Sequence, residues 1–112
     1  DQDCSVWDLD SRLPHPVAAE RWLALSFPQP RRLPESLRPR FRVVPSGFYR
    51  EHFASDRSHM RGPDGEWLHS PPSWPCIGTG SNLPSYRDVS DEAGPGRVMD
   101  LEAFATFVRE GC

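Results

Sequence analysis

The run Phe53-Ala54-Ser55-Asp56-Arg57-Ser58-His59-Met60 gathers two hydroxyls, a carboxylate, a guanidinium and an imidazole in a short stretch. On a continued helix Ser55 and His59 stand at i and i+4, and Asp56 and His59 at i and i+3, close enough to hydrogen-bond. A nucleophile, a base and an orienting acid are the residue types of acyl-transfer hydrolysis. A triad is defined by geometry around an oxyanion site, however, and three partners from one helical turn rarely supply it. The run is expected to be a network that caps the preceding helix and ties down the segment after it. Lining a site built elsewhere and a hydrolytic triad stay open as alternatives.

A second pair of carboxylates lies near the start. Ser5 to Asp10 reads as a strand in which Val6, Asp8 and Asp10 point one way and Trp7 and Leu9 the other. Two carboxylates on one face are costly to bury unpaired, so that face meets solvent, a cation or a functional site. Asp10 also suits a cap of the Asp10-Ser11-Arg12 bend. His52, His59, His69 and Cys76 are possible metal ligands, but no short paired spacing joins them, and no metal is expected. Cys76, between Pro75 and Ile77, reads as an inert small hydrophobe.

These side chains need elements to hold them. Leu13-Pro14-His15-Pro16 reads as a turn. Val17 to Phe27 has the pattern of an amphipathic helix, with Val17, Ala18, Arg21, Trp22 and Leu25 on one face, ended by Pro28-Gln29-Pro30. A basic, Pro-punctuated connection runs to Pro39, and Phe41 to Val44 reads as a short strand. Ser46 is the expected N-cap of a helix whose buried side is Phe48, Tyr49, His52 and Phe53. That helix leads into the 53–60 run. Residues 61–82 have no clear period, a turn signal at Gly62-Pro63-Asp64-Gly65, and too many apolar side chains for disorder, so the segment is expected to pack down. Leu83 to Val89 suits a short turn of helix and Asp91 to Gly96 a loop. Asp100 then caps a last helix, Leu101 to Glu110, with apolar stripe Leu101, Phe104, Phe107 and Val108, before Gly111.

At 112 residues the chain suffices for one small domain and one core. Its 13 prolines fall between apolar segments rather than in a tract, which points to ordered, loop-rich structure. Net charge is −3, so the local cluster Arg31, Arg32, Arg38, Arg40 and Arg42 reads as a solvated surface and not as a nucleic-acid-binding face. No apolar run approaches the roughly 20 residues that span a bilayer, and no membrane partner is expected. Three widely spaced cysteines do not look like a disulfide framework, and reduced thiols in a cytosolic or nuclear setting are expected. The first residues show no signal-peptide pattern and run straight into a strand-like segment without Met, so the protein's N-terminus is expected to lie elsewhere. The finished helix before Cys112 is expected to mark its C-terminus.

The run from Phe53 to Met60 resembles the signature of the protein N-terminal glutamine amidohydrolase family. Trp7-Asp8-Leu9-Asp10 followed by Leu13-Pro14 is similar to the family's Tyr-Asp-Leu-Asp strand and Leu-Pro turn. Phe41-Arg42-Val43, Gly65-x-Trp67 and Pro75-Cys76-Ile77 follow in the family's order, so the resemblance covers essentially the whole chain. It implies an α/β fold of the papain- or transglutaminase-like sandwich type, of which residues 1–112 are the C-terminal portion of a single domain. It implies deamidation of an N-terminal glutamine to glutamate by a Cys-His-Asp triad, without metal or cofactor. Asp8 matches the family's catalytic Asp.

The family's nucleophile segment and its Trp-Asp-Tyr-His-Val motif, which carries the His, do not occur in this sequence, and Cys4, Cys76 and Cys112 do not take the nucleophile's place. The resemblance thus implies a chain that supplies the Asp alone and is inactive by itself. Its implied partners are proteins or peptides with N-terminal Gln, in a cytoplasmic or also nuclear protein that is monomeric when complete. Ser55, Asp56, Arg57 and His59 become candidates for bracing the strand or pocket wall that places Asp8. A half-domain is also expected to expose apolar surface and to fold poorly alone. The alternative is a non-catalytic, peptide-binding remnant of the fold.

Overall fold

The computed structural model describes residues 4–112. It is a small α/β structure with two small sheets and four helices. The chain divides into two compact units, one from Asp1–Phe41 and Met99–Cys112, described from residue 4 on, and one from Arg42–Val98.

In the first unit, β1 (Ser5–Val6) pairs antiparallel with β2 (Val17–Ala18), Ser5 opposite Ala18 and Val6 opposite Val17. The ladder extends by one bond, from the Ala19 N–H to the Cys4 carbonyl at 2.9 Å. Helix α1 (Ala19–Ser26) follows β2 directly, so the expected helix from Val17 loses its first two residues to the strand. Those residues sit opposite β1, and pairing satisfies backbone groups that a helix start leaves orphaned. Helix α4 (Leu101–Arg109) packs against α1. Asp100 caps it as expected, its Oδ1 accepting from the Ala103 N–H at 2.8 Å. Ala19, Leu23 and Val108 form the buried centre, surrounded by Val6, Trp22, Phe27, Leu101, Phe104 and Phe107. Phe41 stacks on Phe104 at 4.3 Å and meets Phe27 edge to face at 5.9 Å.

Strand β1 is shorter than the expected Ser5–Asp10, because the chain bends from Leu9 onward. The cause is local. Asp8 Oδ1 accepts from the Asp10 N–H at 3.1 Å and the Asp8 carbonyl from the Ser11 N–H at 3.2 Å, an Asx-type turn that competes with extension of the strand. Trp7 and Leu9, placed opposite the carboxylates by alternation, are exposed, at 67% and 81%.

The expectation of reduced thiols fails at two of the three cysteines. Cys4 and Cys112 are joined as a disulfide, with Cα atoms 6.2 Å apart. Neither their spacing nor their number signals it. β1 and the end of α4 lie on the same buried centre, which brings residues far apart in sequence within bridging range. Cys76 is free, and it is exposed rather than buried.

In the second unit, helix α2 (Ser46–His52) starts at Ser46 itself, with Pro45 at the cap position and no side-chain cap bond, so Ser46 is not the expected N-cap. Tyr49 stacks on Phe53 at 4.6 Å, and both meet Tyr86 of α3 (Leu83–Arg87) edge to face. Phe48 and Tyr49 are each 42% exposed, with Phe48 lying against His52 at 4.2 Å, so of the expected apolar side only Phe53 is half-buried. Residues 61–82 are held by backbone pairing. Ser55 pairs with Ile77 and Arg61 with Trp67, and the Arg61 guanidinium lies 3.8 Å from the centre of the Trp67 ring. The segment is fastened, yet Trp74 and Ile77 remain largely exposed.

Strands β3 (Arg40–Val43) and β4 (Arg97–Asp100) pair as the second sheet, and the chain passes from one unit to the other along them. Only Phe41 to Val44 is foreseeable from β-branched composition; β4 has no such signal in Arg97-Val98-Met99-Asp100. In the second unit the Arg42 guanidinium donates to the carbonyls of Pro95, Asp88 and Asp91 and so gathers the 88–95 loop. Among the described residues no helix is long and apolar enough to cross a membrane.

Candidate functional site

Asp8 occupies the bend after β1 and is half-buried. Its two oxygens have different donors. Oδ1 takes the Asp10 N–H, within the turn, and Oδ2 takes the indole N–H of Trp22 at 3.0 Å. Trp22 lies on α1, with its ring edge to face against Phe27 at 5.8 Å and Phe41 at 6.4 Å. A carboxylate has about four lone-pair sites, and these two N–H groups use two of them. Asp8 is thus an oriented acceptor with capacity for a further N–H, such as that of an imidazole. Asp10 is exposed and contributes its backbone N–H to Asp8. The cap at the next bend comes from Ser11, whose hydroxyl accepts from the Leu13 N–H at 3.1 Å.

The indole partner of Asp8 escapes a periodicity argument, which places Trp22 on an apolar helix face and stops there. A usable signal does exist in the residue type: a largely buried Trp generally finds a partner for its N–H. What the sequence lacks is the partner's identity, because the contact spans the turn and the β1–β2 pairing.

In the second unit the 53–60 run is not helical at its start. Helix α2 ends at His52, and Phe53 is extended at φ −69°, ψ 133°. The i, i+4 relation between Ser55 and His59 is therefore absent. Ser55 is buried, and its backbone exchanges bonds with Ile77, N to O at 2.8 Å and O to N at 3.2 Å. Its hydroxyl accepts from the Arg57 N–H at 3.3 Å. Asp56 Oδ1 accepts from the Ser58 N–H at 2.9 Å, and the Ser58 side chain and N–H hold the Asp56 carboxyl below its ordinary range. His59 lies in a 3-10 turn, Ser58–Met60, and is exposed.

Arg57 is the organiser of this unit's loop. Its backbone is left-handed, φ 62°, which turns the chain so that the guanidinium reaches the 72–75 segment. There it donates to the carbonyls of Trp74 at 2.6 Å, Pro75 at 3.1 Å and Pro72 at 3.5 Å. Asn82 completes the fastening. Its Oδ1 accepts from the Ala54 N–H at 2.8 Å and its Nδ2 donates to the His52 carbonyl at 2.6 Å, covering the end of α2. Asn82 is the residue that sequence reasoning missed in this network. The hydroxyl of Ser55 and the carboxylate of Asp56 are engaged with backbone N–H groups, so the run acts as the expected loop anchor rather than as a triad. Among the described residues no group of three or more His, Cys, Asp or Glu converges as metal ligands would.

Fold and site together define a small α/β chain that presents one braced carboxylate on a turn and a separate hydrogen-bonded loop anchor. The chain belongs to the N-terminal glutamine amidase family, whose model matches residues 1–108. Protein N-terminal glutamine amidohydrolase of Drosophila mojavensis is 39% identical over 111 residues, covering 93% of this chain and 52% of the relative. The proteins of the same name from Drosophila erecta and Drosophila melanogaster are each 41% identical over 108 residues, covering 90% of this chain and 51% of theirs. The chain spans about half the length of the curated relatives it matches.

Proposed function

We propose that residues 1–112 are the C-terminal portion of a single N-terminal glutamine amidohydrolase domain with a papain- or transglutaminase-like sandwich fold. The domain converts the N-terminal Gln of a protein or peptide to Glu and releases ammonia. The observation that carries the reading is the family match across residues 1–108. In the proposed mechanism a cysteine thiolate attacks the γ-carboxamide carbon and forms a tetrahedral oxyanion. The C–N bond breaks as a histidine gives its proton to the departing ammonia. Water, deprotonated by the same histidine, then attacks the thioester, yielding the γ-carboxylate and restoring the thiol. Asp8 is the third member. It accepts the imidazole N–H, fixes its tautomer and stabilises the imidazolium that forms. Its oriented, half-buried carboxylate supports that role. The Cys and His come from a segment that precedes this chain, and no metal or cofactor takes part.

The exposed apolar side chains Trp7 and Leu9, beside Asp8 in sequence, support a surface that a further segment of the domain covers. The protein is proposed to act as a monomer in the cytoplasm, and also in the nucleus. The test is to extend the chain with the upstream sequence of its gene and incubate it with a Gln-initiated peptide. Ammonia release equimolar with new N-terminal Glu is expected. A folded, extended protein that binds the peptide without releasing ammonia would make it a non-catalytic binding module instead.

A further inference from the structure

Trp22 has no part in the reaction described above, yet its indole N–H makes a side-chain hydrogen bond that ties Asp8 to helix α1. We propose that Trp22 is the positioning residue for Asp8, setting the carboxylate's direction relative to α1. The inference rests on the reading of Asp8 as the imidazole's acceptor. Its own support is the difference between the two donors. The Asp10 N–H is two residues away and moves with the turn, whereas the indole N–H comes from fourteen residues further on. The local donor fixes which way the side chain leaves the backbone. The remote donor fixes where Oδ2 lies.

The indole is well suited to that task. Its ring meets Phe27 and Phe41 edge to face in a three-ring cluster and packs on the buried Ala19, Leu23 and Val108 centre. It has few torsions to lose, and its N–H is a donor only. It therefore cannot take the imidazole's proton or compete with the carboxylate as an acceptor. By engaging Oδ2 once, it leaves further lone pairs for an incoming N–H. A Phe at this position keeps ring packing and loses the donor, which separates positioning from packing.

The experiment uses the extended protein with Trp22→Phe, and with Trp22 replaced by benzothienylalanine, which keeps the bicyclic shape and puts sulfur where the N–H was. Misplacement of a catalytic group by a fraction of an ångström predicts a kcat loss of roughly tenfold. KM for the Gln-initiated peptide should stay within about twofold, because substrate binding is untouched. A readout independent of activity is the indole N–H resonance of Trp22, which should shift on Asp8→Ala while those of Trp67 and Trp74 do not. If Trp22→Phe fails to fold, the isosteric replacement decides. Unchanged kcat in both Trp22 variants, beside an inactive Asp8→Asn, overturns the role of Trp22 and leaves the proposed function standing. Full activity in Asp8→Asn overturns the assignment of Asp8 and the positioning role with it.

Discussion

Gly96 should be the least replaceable glycine in the second unit. Its φ is +64°, and a Cβ built there falls on the Val43 carbonyl oxygen, 2.9 Å from the Val43 carbon and 3.0 Å from the Val44 Cα. All three are backbone atoms, so no side chain can swing aside. Left-handed backbone costs a Cβ-bearing residue roughly 1–2 kcal/mol. Forcing β4 away from β3 adds an overpacking cost of about 1–3 kcal/mol. Gly96→Ala is therefore expected to destabilise the chain by about 2–5 kcal/mol. Two other glycines separate the causes. Gly65 has φ +82° and open space around its Cβ position, so Gly65→Ala carries only the conformational cost of about 1–2 kcal/mol. Gly47 lies inside α2 with nothing near its Cβ position, so Gly47→Ala should stabilise by about 0.5–1 kcal/mol. Urea unfolding of the three variants, followed by tryptophan fluorescence, reads the series directly. A Gly96→Ala midpoint no lower than that of Gly65→Ala would refute the close approach of Gly96 to β3.

Arg57→Ala should release the 72–77 segment while leaving the first unit intact. The lost charge-assisted bonds to exposed carbonyls, worth on the order of 1 kcal/mol, predict amide exchange roughly fivefold faster at Ser55 and Ile77; unchanged protection there would contradict the anchor. The acid limb of stability should depend on Asp88 and Asp56, which Ser90 and Ser58 respectively hold below the ordinary carboxyl value of 3.8. With folded values below the unfolded one, their contribution is complete above 3.8 and is lost as pH falls through the lowered values. The Asp56→Asn/Asp88→Asn double variant should show a shallower loss of stability below about pH 4 in acid titration; an identical acid limb would remove both carboxylates from the account.

How much the sequence shows depends on how local the cause is. The cap of α4 is legible because Asp100, three residues before its donor, carries the signal by itself. The body of α1 and the turn of helix at α3 are foreseen, but the buried face of α1 is not: Ala19 and Leu23 are buried, while Ala18, Arg21 and Leu25 of the expected face are exposed. The strand from Ser5 is overextended because alternation from Val6 to Asp10 ignores the ability of Asp8 to bond the Asp10 N–H and bend the chain. The helix into Ser55 is overextended because Ala54 and Ser55, just after Phe53, bond instead with Asn82 and Ile77, which lie more than twenty residues later. The Cys4–Cys112 bridge and the Trp22–Asp8 bond are likewise products of packing, invisible to spacing. Asp8 itself is legible only through the resemblance to a family. From residue types alone it is one of two carboxylates on a short strand, and the structure distinguishes them: Asp8 is half-buried and braced, Asp10 exposed.

That distinction gives the central claim its most direct test, the activity of Asp8→Asn against Asp10→Asn in the extended protein. Asparagine keeps the shape of Asp8 but removes the charge that orients and stabilises the imidazolium, and ammonia release from a Gln-initiated peptide should fall by about 10²–10⁴. Asp10 acts through its backbone N–H, so Asp10→Asn should retain activity within about threefold, the spread of ordinary surface changes. Equal losses in the two variants, or an active Asp8→Asn, would contradict the assignment of Asp8 as the acid of the triad.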